Sequence, residues 1–162
     1  MKTYCPIRLL LFTCLILGIT LALPGPADAR WYWIHGHSGH VQDESLIYGP
    51  SRFGWGLDFY HRHGVNWVHF TLPTQGNKGV RSIRLKFETS GNNAHVQRID
   101  LYDGNIKFME IPGSRWGAHD IELDLGRRWT LYRGLGISIG IFGSEIEGTP
   151  WFNFISVGAN IQ

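Results

Sequence analysis

The residues able to do chemistry fall into four groups, and each group needs a different arrangement in space. His35-x-His37 and His61-x-His63 have the spacing that puts both members of a pair on one face of an extended chain. Two such pairs brought together would offer four imidazoles to Zn²⁺ or Cu²⁺. Nothing in the spacing makes the two segments meet, and a metal site also needs a supporting second layer of hydrogen bonds. The expectation is therefore solvated loop histidines and no cofactor, with a Zn²⁺ or Cu²⁺ centre on His35, His37, His61 and His63 as the alternative. His69 and His119 lie in strand-like segments and are expected to make polar contacts on a sheet face.

Gly136-Ile137-Ser138-Ile139-Gly140 matches G-x-S-x-G. That motif exposes a nucleophilic serine only at a sharp strand-to-helix turn above a mostly parallel sheet. Here it lies inside an alternating apolar run with no helical pattern after it, so no catalytic residue is assigned. The acid pairs Glu122/Asp124 and Glu145/Glu147 could stand at about the 5–7 Å of a glycosidase pair. Both fall where alternation puts side chains in water. Asp100, Asp103 and Asn105 carry oxygens suited to Ca²⁺ but lack the EF-hand spacing.

The aromatic residues are the strongest functional signal. Seven Trp, six Tyr and nine Phe are more large rings than one core of this size consumes. Trp67 is out of phase with Val68, Phe70 and Leu72, so it points away from the face those three bury. An exposed ring can stack on a sugar while neighbouring polar side chains supply directional hydrogen bonds. Trp67, Trp116, Tyr102 and Asp103 are the candidate contacts for a carbohydrate or cell-surface ligand, whereas Trp129 and Trp151 are assigned to the core. On this reading the protein is a non-enzymatic binding module. A structural subunit of an oligomer or surface fibre is the alternative.

The elements that must position these residues are strands. Leu135, Ile137, Ile139 and Ile141 alternate with Gly136, Ser138, Gly140 and Phe142, which predicts a strand with one apolar face and one nearly bare face. Ile83, Leu85 and Phe87 alternate with charged residues, as do Ile121, Leu123 and Leu125. Further strands are predicted at 31–35, 55–60, 66–72 and 151–161, the last burying Ile155, Val157, Ala159 and Ile161. A two-residue turn at Asp103-Gly104 would pair Asp100 with Lys107 and Leu101 with Ile106. Residues 36–44 read as a polar loop. About nine short strands with regular turn signals predict an all-β fold, a single antiparallel β-sandwich of jelly-roll type, with a closed barrel as runner-up.

Lys2 and Arg8, the apolar run Leu9–Leu23 and Ala27-Asp28-Ala29 predict a signal peptide over residues 1–29, cleaved before Arg30, and hence a secreted or periplasmic protein. The apolar run is shorter than the ~20 residues of a spanning helix, so no membrane span is expected after cleavage. Cys5 and Cys14 fall in the removed segment, which leaves residues 30–162 as one cysteine-free domain. That domain carries 13 Lys and Arg against 12 Asp and Glu. So even a balance lacks the clustered positive charge of a nucleic-acid partner.

Several stretches together resemble a known family. They are Trp33-Ile34-His35-Gly36, Trp67-x-His69-Phe70-x-Leu72-Pro73-Thr74, Leu101-Tyr102-Asp103-Gly104, Gly134 to Gly140, and Phe154-Ile155-Ser156-x-Gly158. Their succession looks like that of a bacterial domain-of-unknown-function family of small β-sandwich proteins. The resemblance implies a fold and a bacterial source, and transfers no activity or site residue. Arg133 stands where that pattern often has Trp.

Overall fold

Period-two alternation runs through most of the chain, and in the computed structural model it produces two antiparallel sheets packed face to face. Residues 29–74, 78–145 and 148–162 are described. The expected signal segment, Cys5 and Cys14 included, thus lies outside the described residues apart from Ala29, as does Glu147. None of the described helices is long and apolar enough to cross a membrane.

Eleven strands are present among the described residues: β1 (Arg30–His35), β2 (His40–Val41), β3 (Ile47–Phe53), β4 (Gly56–His61), β5 (Gly64–Leu72), β6 (Gly79–Thr89), β7 (Ala94–Asp103), β8 (Ile106–Trp116), β9 (His119–Thr130), β10 (Leu135–Gly143) and β11 (Trp151–Ile161). One sheet has the order β3-β4-β11-β6-β9, with β1 also paired to β11, and the other β2-β5-β10-β7-β8. The fold is an all-β sandwich and no closed barrel forms.

The core lies between the sheets. Leu135, Ile137, Ile139 and Ile141 of β10 are fully buried, with Val68, Phe70 and Leu72 of β5 beside them. Facing them, the other sheet contributes Leu57, Phe59, Ile83, Leu85, Phe87, Phe152 and Phe154. In β5, β6 and β10 the inward faces are those the alternation predicts.

Five expectations need correction. No strand is predicted over 47–53, where β3 forms; Pro50 within it is tolerated on a sheet edge, where its missing N–H breaks no ladder. His40–Val41, in the expected loop, pairs with β5 as a short edge strand. β8 runs through Pro112 for the same edge reason, and Arg98 pairs with Pro112. In β11 a bulge between Phe154 and Ser156 resets the phase, so Phe154 enters the core and Ile155 is only half-buried.

The fifth correction is the hairpin register. Asp103 pairs with Ile106 and Tyr102 with Lys107, so the turn is Gly104-Asn105, with Gly104 at φ 60°. A bulge follows, and Leu101 then faces Met109. The energetics favour this register. An exposed charge pair across strands contributes about 0.2–1 kcal/mol, whereas hydrogen bonds to a carboxylate contribute about 1.5–3 kcal/mol. Asp103 accepts the backbone N–H of Tyr132 at 3.0 Å and of Arg133 at 2.7 Å, and the Gly104 N–H donates to Gly134 O. Asp103 therefore ties the hairpin to the segment that enters β10. Lys107 still reaches Asp100 diagonally at 3.4 Å.

Replacing Asp103 with Ala is expected to lower stability by about 2 kcal/mol, read as a lower urea midpoint at unchanged slope. Asp103→Asn, which keeps one acceptor oxygen, should lose less.

Candidate functional site

With its isoleucines in the core, β10 turns Gly136, Ser138, Gly140 and Phe142 outward, at the centre of the five-stranded sheet. β5 adds Val65, Trp67, His69 and Thr71 to that face, in register with β10. β7 adds His95, Arg98, Asp100 and Tyr102 on the other side. Its register shifts between Gly140 and Ile141. Without that bulge, His95 could not share the face with Arg98, Asp100 and Tyr102, because its sequence spacing is out of phase with theirs.

The face reads as four rows across the strands. Thr71, Gly136, Tyr102 and Lys107 form the first. His40, His69, Ser138, Asp100 and Glu110 form the second, which crosses all five strands. Trp67, Gly140, Arg98 and Pro112 form the third, and Val65, Phe142, His95 and Trp116 the fourth.

Small residues on β10 make room for rings from its neighbours. A Cβ on Gly140 would stand 3.2 Å from two ring atoms of Trp67, and one on Gly136 would meet the Tyr102 Cβ at 3.4 Å. The Trp67 ring thus spreads over β10, and the Arg98 guanidinium lies 4.7 Å from its centroid. That cation–π contact contributes about 0.5–1 kcal/mol at an accessible site. At the far end Trp116 is 48% exposed and packs on His95 at 4.9 Å, with Phe142 beyond at 5.3 Å from His95.

Between the rings lies a polar centre. His69 Nε2 is 3.2 Å from Gln42 Oε1 and His69 Nδ1 is 2.9 Å from Ser138 Oγ. With the amide oxygen of Gln42 accepting, Nε2 carries the proton, Nδ1 is the acceptor and the Ser138 hydroxyl donates to it. Burial, then the nearby His40, holds the His69 pKa below its ordinary value, which keeps the ring neutral in this role. Asp100 is almost fully buried and is flanked by Lys107 at 3.4 Å and Arg98 Nε at 3.5 Å. Lys107 also bonds Glu110 at 2.8 Å, which raises the lysine pKa and lowers that of the glutamate. Ser138 stands mid-strand with ladder partners on both sides, so the turn of a hydrolase elbow is not formed there.

Three of the four expected ligand contacts, Trp67, Tyr102 and Trp116, share this face. Asp103 does not, being committed to the loop before β10. Trp67 is also less free than expected, because Arg98 covers part of it. Trp129 packs against the core as expected without being fully buried, whereas Trp151 is not in the core. Trp129 is half-buried under Arg127, whose guanidinium carbon is 3.7 Å from its ring. Trp151 is half-buried with its indole N–H donated to Asp58. Arg98 and Gln42 were missed and Asp100 was read only as a Ca²⁺ candidate: Gln42 sits in what reads as a loop, whereas Arg98 and Asp100 share the phase of Tyr102, so the period-two pattern could have placed them on its face.

The histidine pairs have other surroundings. His35 and His37 rings lie 4.4 Å apart, and His35 Nε2 bonds Gly54 O at 2.8 Å while its Nδ1 accepts the His37 N–H. His61 is fully buried edge-on to Phe152, and neither ring nitrogen has a partner. His63 sits against Phe142. Among the described residues no three His, Cys, Asp or Glu side chains are grouped to hold a metal ion, so His35, His37, His61 and His63 do not form one centre. His69 and His119 make the polar contacts expected of them, His119 with Trp116 O at 2.8 Å. Asp120 pairs with Arg84, Glu122 with Ser82 and Asp124 with Arg81, on an exposed face as expected.

No family model matches the chain, and no curated protein matches it either. Solved structures similar to it include the CBM36-1 domain of a multidomain xylanase from the hindgut metagenome of Trinervitermes trinervoides, at 15% identity and TM-score 0.46, covering 81% of this chain and 97% of that one. A carbohydrate-binding module CBM36 in complex with calcium and xylotriose matches at 12% identity and TM-score 0.44, covering 81% and 99%. The catalytic domain of a GH87 alpha-1,3-glucanase in complex with nigerose matches at 14% and 0.44, covering 83% of this chain and 28% of that one. At these values no residue role passes from those proteins to this chain.

The orphaned His61 gives a pH prediction. Burial depresses its native pKa below the ordinary value, so the unfolded chain takes up the proton first as pH falls. The associated stability is present above about pH 6.5 and is lost as pH drops toward the depressed native pKa, at a slope of up to about 1.4 kcal/mol per pH unit. Denaturant midpoints at pH 7.5 and 5 should therefore separate more for wild type than for His61→Phe, which keeps the ring packing on Phe152.

Proposed function

We propose that this protein is a non-enzymatic carbohydrate-binding module acting outside the cytoplasm, with its ligand on the outward face of the five-stranded sheet. The observation that carries the reading is the gathering of Trp67, Tyr102 and Trp116 on one face around a floor of Gly136, Ser138 and Gly140. Rings set among hydrogen-bonding groups suit a sugar, which has apolar C–H faces and hydroxyl edges. Arg98, Lys107 and Glu110 supply donors and acceptors, and the buried Asp100 between the two cations holds them in place. Their charges balance, which favours a neutral glycan over a polyanion. Export rests on the leader-like residues 1–29, and the bacterial family resemblance fits the same setting. The mass of the protein recovered outside the cytoplasm should correspond to a chain starting at Arg30.

The binding test is titration with neutral oligosaccharides (cellohexaose, xylohexaose and maltohexaose) alongside pull-down on the matching polysaccharides. Trp67→Ala and Trp116→Ala are each expected to weaken binding about tenfold, the equivalent of ~1.4 kcal/mol. Tyr102→Ala should weaken it less, and Asp103→Asn should leave affinity unchanged. Binding that is absent across the panel, or untouched by both Trp substitutions, rules the reading out.

A further inference from the structure

The outward face of the six-stranded sheet carries a second ring laid over a glycine. Trp33 on β1 pairs with Gly158 on β11. A Cβ on Gly158 would stand 2.7 Å from Trp33 Cε3 and 2.9 Å from both Cδ2 and Cζ3. Three ring atoms at nearly one distance mean that the indole lies flat on the strand, with its other face turned outward. It remains 48% exposed. Trp31 steadies it from the side, at 5.5 Å between centroids and 26° between planes. Beside the ring, a shallow cleft of about 520 Å³ is lined by Trp33, Ile34, His35 and Ser156.

The surroundings define the ligand class. Continuing across the sheet, Gly158 is followed by Arg84 and Glu122, and Ser156 by Lys86 and Asp120. Arg84 and Asp120 are joined by two hydrogen bonds of 2.8 and 3.2 Å, and Ser82 bonds Glu122 at 3.0 Å. Charge this dense is what the centre of a protein–protein interface lacks. Both signs are present in near balance, which gives a nucleic-acid backbone no basic track. A flat indole bordered by hydroxyl and paired ionic groups fits a neutral saccharide, whose ring stacks while its hydroxyls exchange hydrogen bonds with the border.

We infer that Trp33 is the platform of a second saccharide site, on the opposite side of the sandwich from Trp67 and Trp116, so that one chain can hold two glycan strands. The site stands on its own residues and does not require the first face to bind.

Calorimetric titration with the same three hexasaccharides tests it. Wild type is expected to bind two ligands per chain. Trp33→Ala should leave one site with the affinity of the first face unchanged, and Trp33→Tyr should restore the second within about tenfold. The double variant Trp67→Ala/Trp116→Ala should keep the Trp33 site. Wild type should also clump a soluble polysaccharide of the binding type, whereas either single-face variant should not. Binding abolished by Trp33→Ala but untouched by the double variant would support this site and reject the first face. A single site insensitive to Trp33→Ala would overturn the inference, and so would Trp33→Ala dissolving a self-associated species without changing saccharide stoichiometry.

Discussion

A strand in a two-layer sandwich can bury one side only, and the organisation of this protein follows from how β10 and β11 meet that constraint. Both are central strands and both fill the core with their apolar phase. Their outward phases carry residues too small to cover the backbone: Gly136, Ser138 and Gly140 on β10, Ser156 and Gly158 on β11. Each sheet therefore has a depression along its middle strand. Rings from neighbouring strands, Trp67 in one case and Trp33 in the other, lie across the depressions. The same residues that make the sheets thin at the centre make the outer faces aromatic.

The bulges determine which side chains accompany those rings. In β7 one extra residue turns Arg98, Asp100 and Tyr102 to the face already occupied by His95. In β11 a bulge exchanges Ile155 for Phe154 in the core and leaves Ser156 and Gly158 facing outward. Each bulge interrupts the ladder locally, and each brings polar residues onto a functional-looking face without thinning the core. The charged groups there act mainly on one another. Asp100 is buried between Arg98 and Lys107, so these cations are held near the rings instead of ranging through solvent.

Histidine placement shows how little a spacing motif says without its packing. The two H-x-H pairs look equivalent in sequence. One stacks on itself beside Gly54, while in the other His61 is sealed against Phe152 and His63 stays at the surface near Phe142. A histidine that does meet a second polar side chain, His69 with Ser138, pairs residues 69 positions apart. It exists only because β5 and β10 are neighbours.

The sequence by itself determined the strand character of the chain, most of the inward faces and the surplus of aromatic rings, since period-two alternation and residue size are local properties. It marked Trp67 as pointing away from the core for the same reason. Tertiary structure alone decided the hairpin register, where hydrogen bonds from Tyr132 and Arg133 to Asp103 fix the turn while Lys107 still reaches Asp100. It also decided the edge strands that tolerate Pro50 and Pro112, and the bulges that re-aim His95 and Phe154. Above all it brought Trp67, Tyr102 and Trp116 to one face and Trp33 to the other. Which strands are neighbours is a property of the whole sheet, and no stretch of sequence contains it.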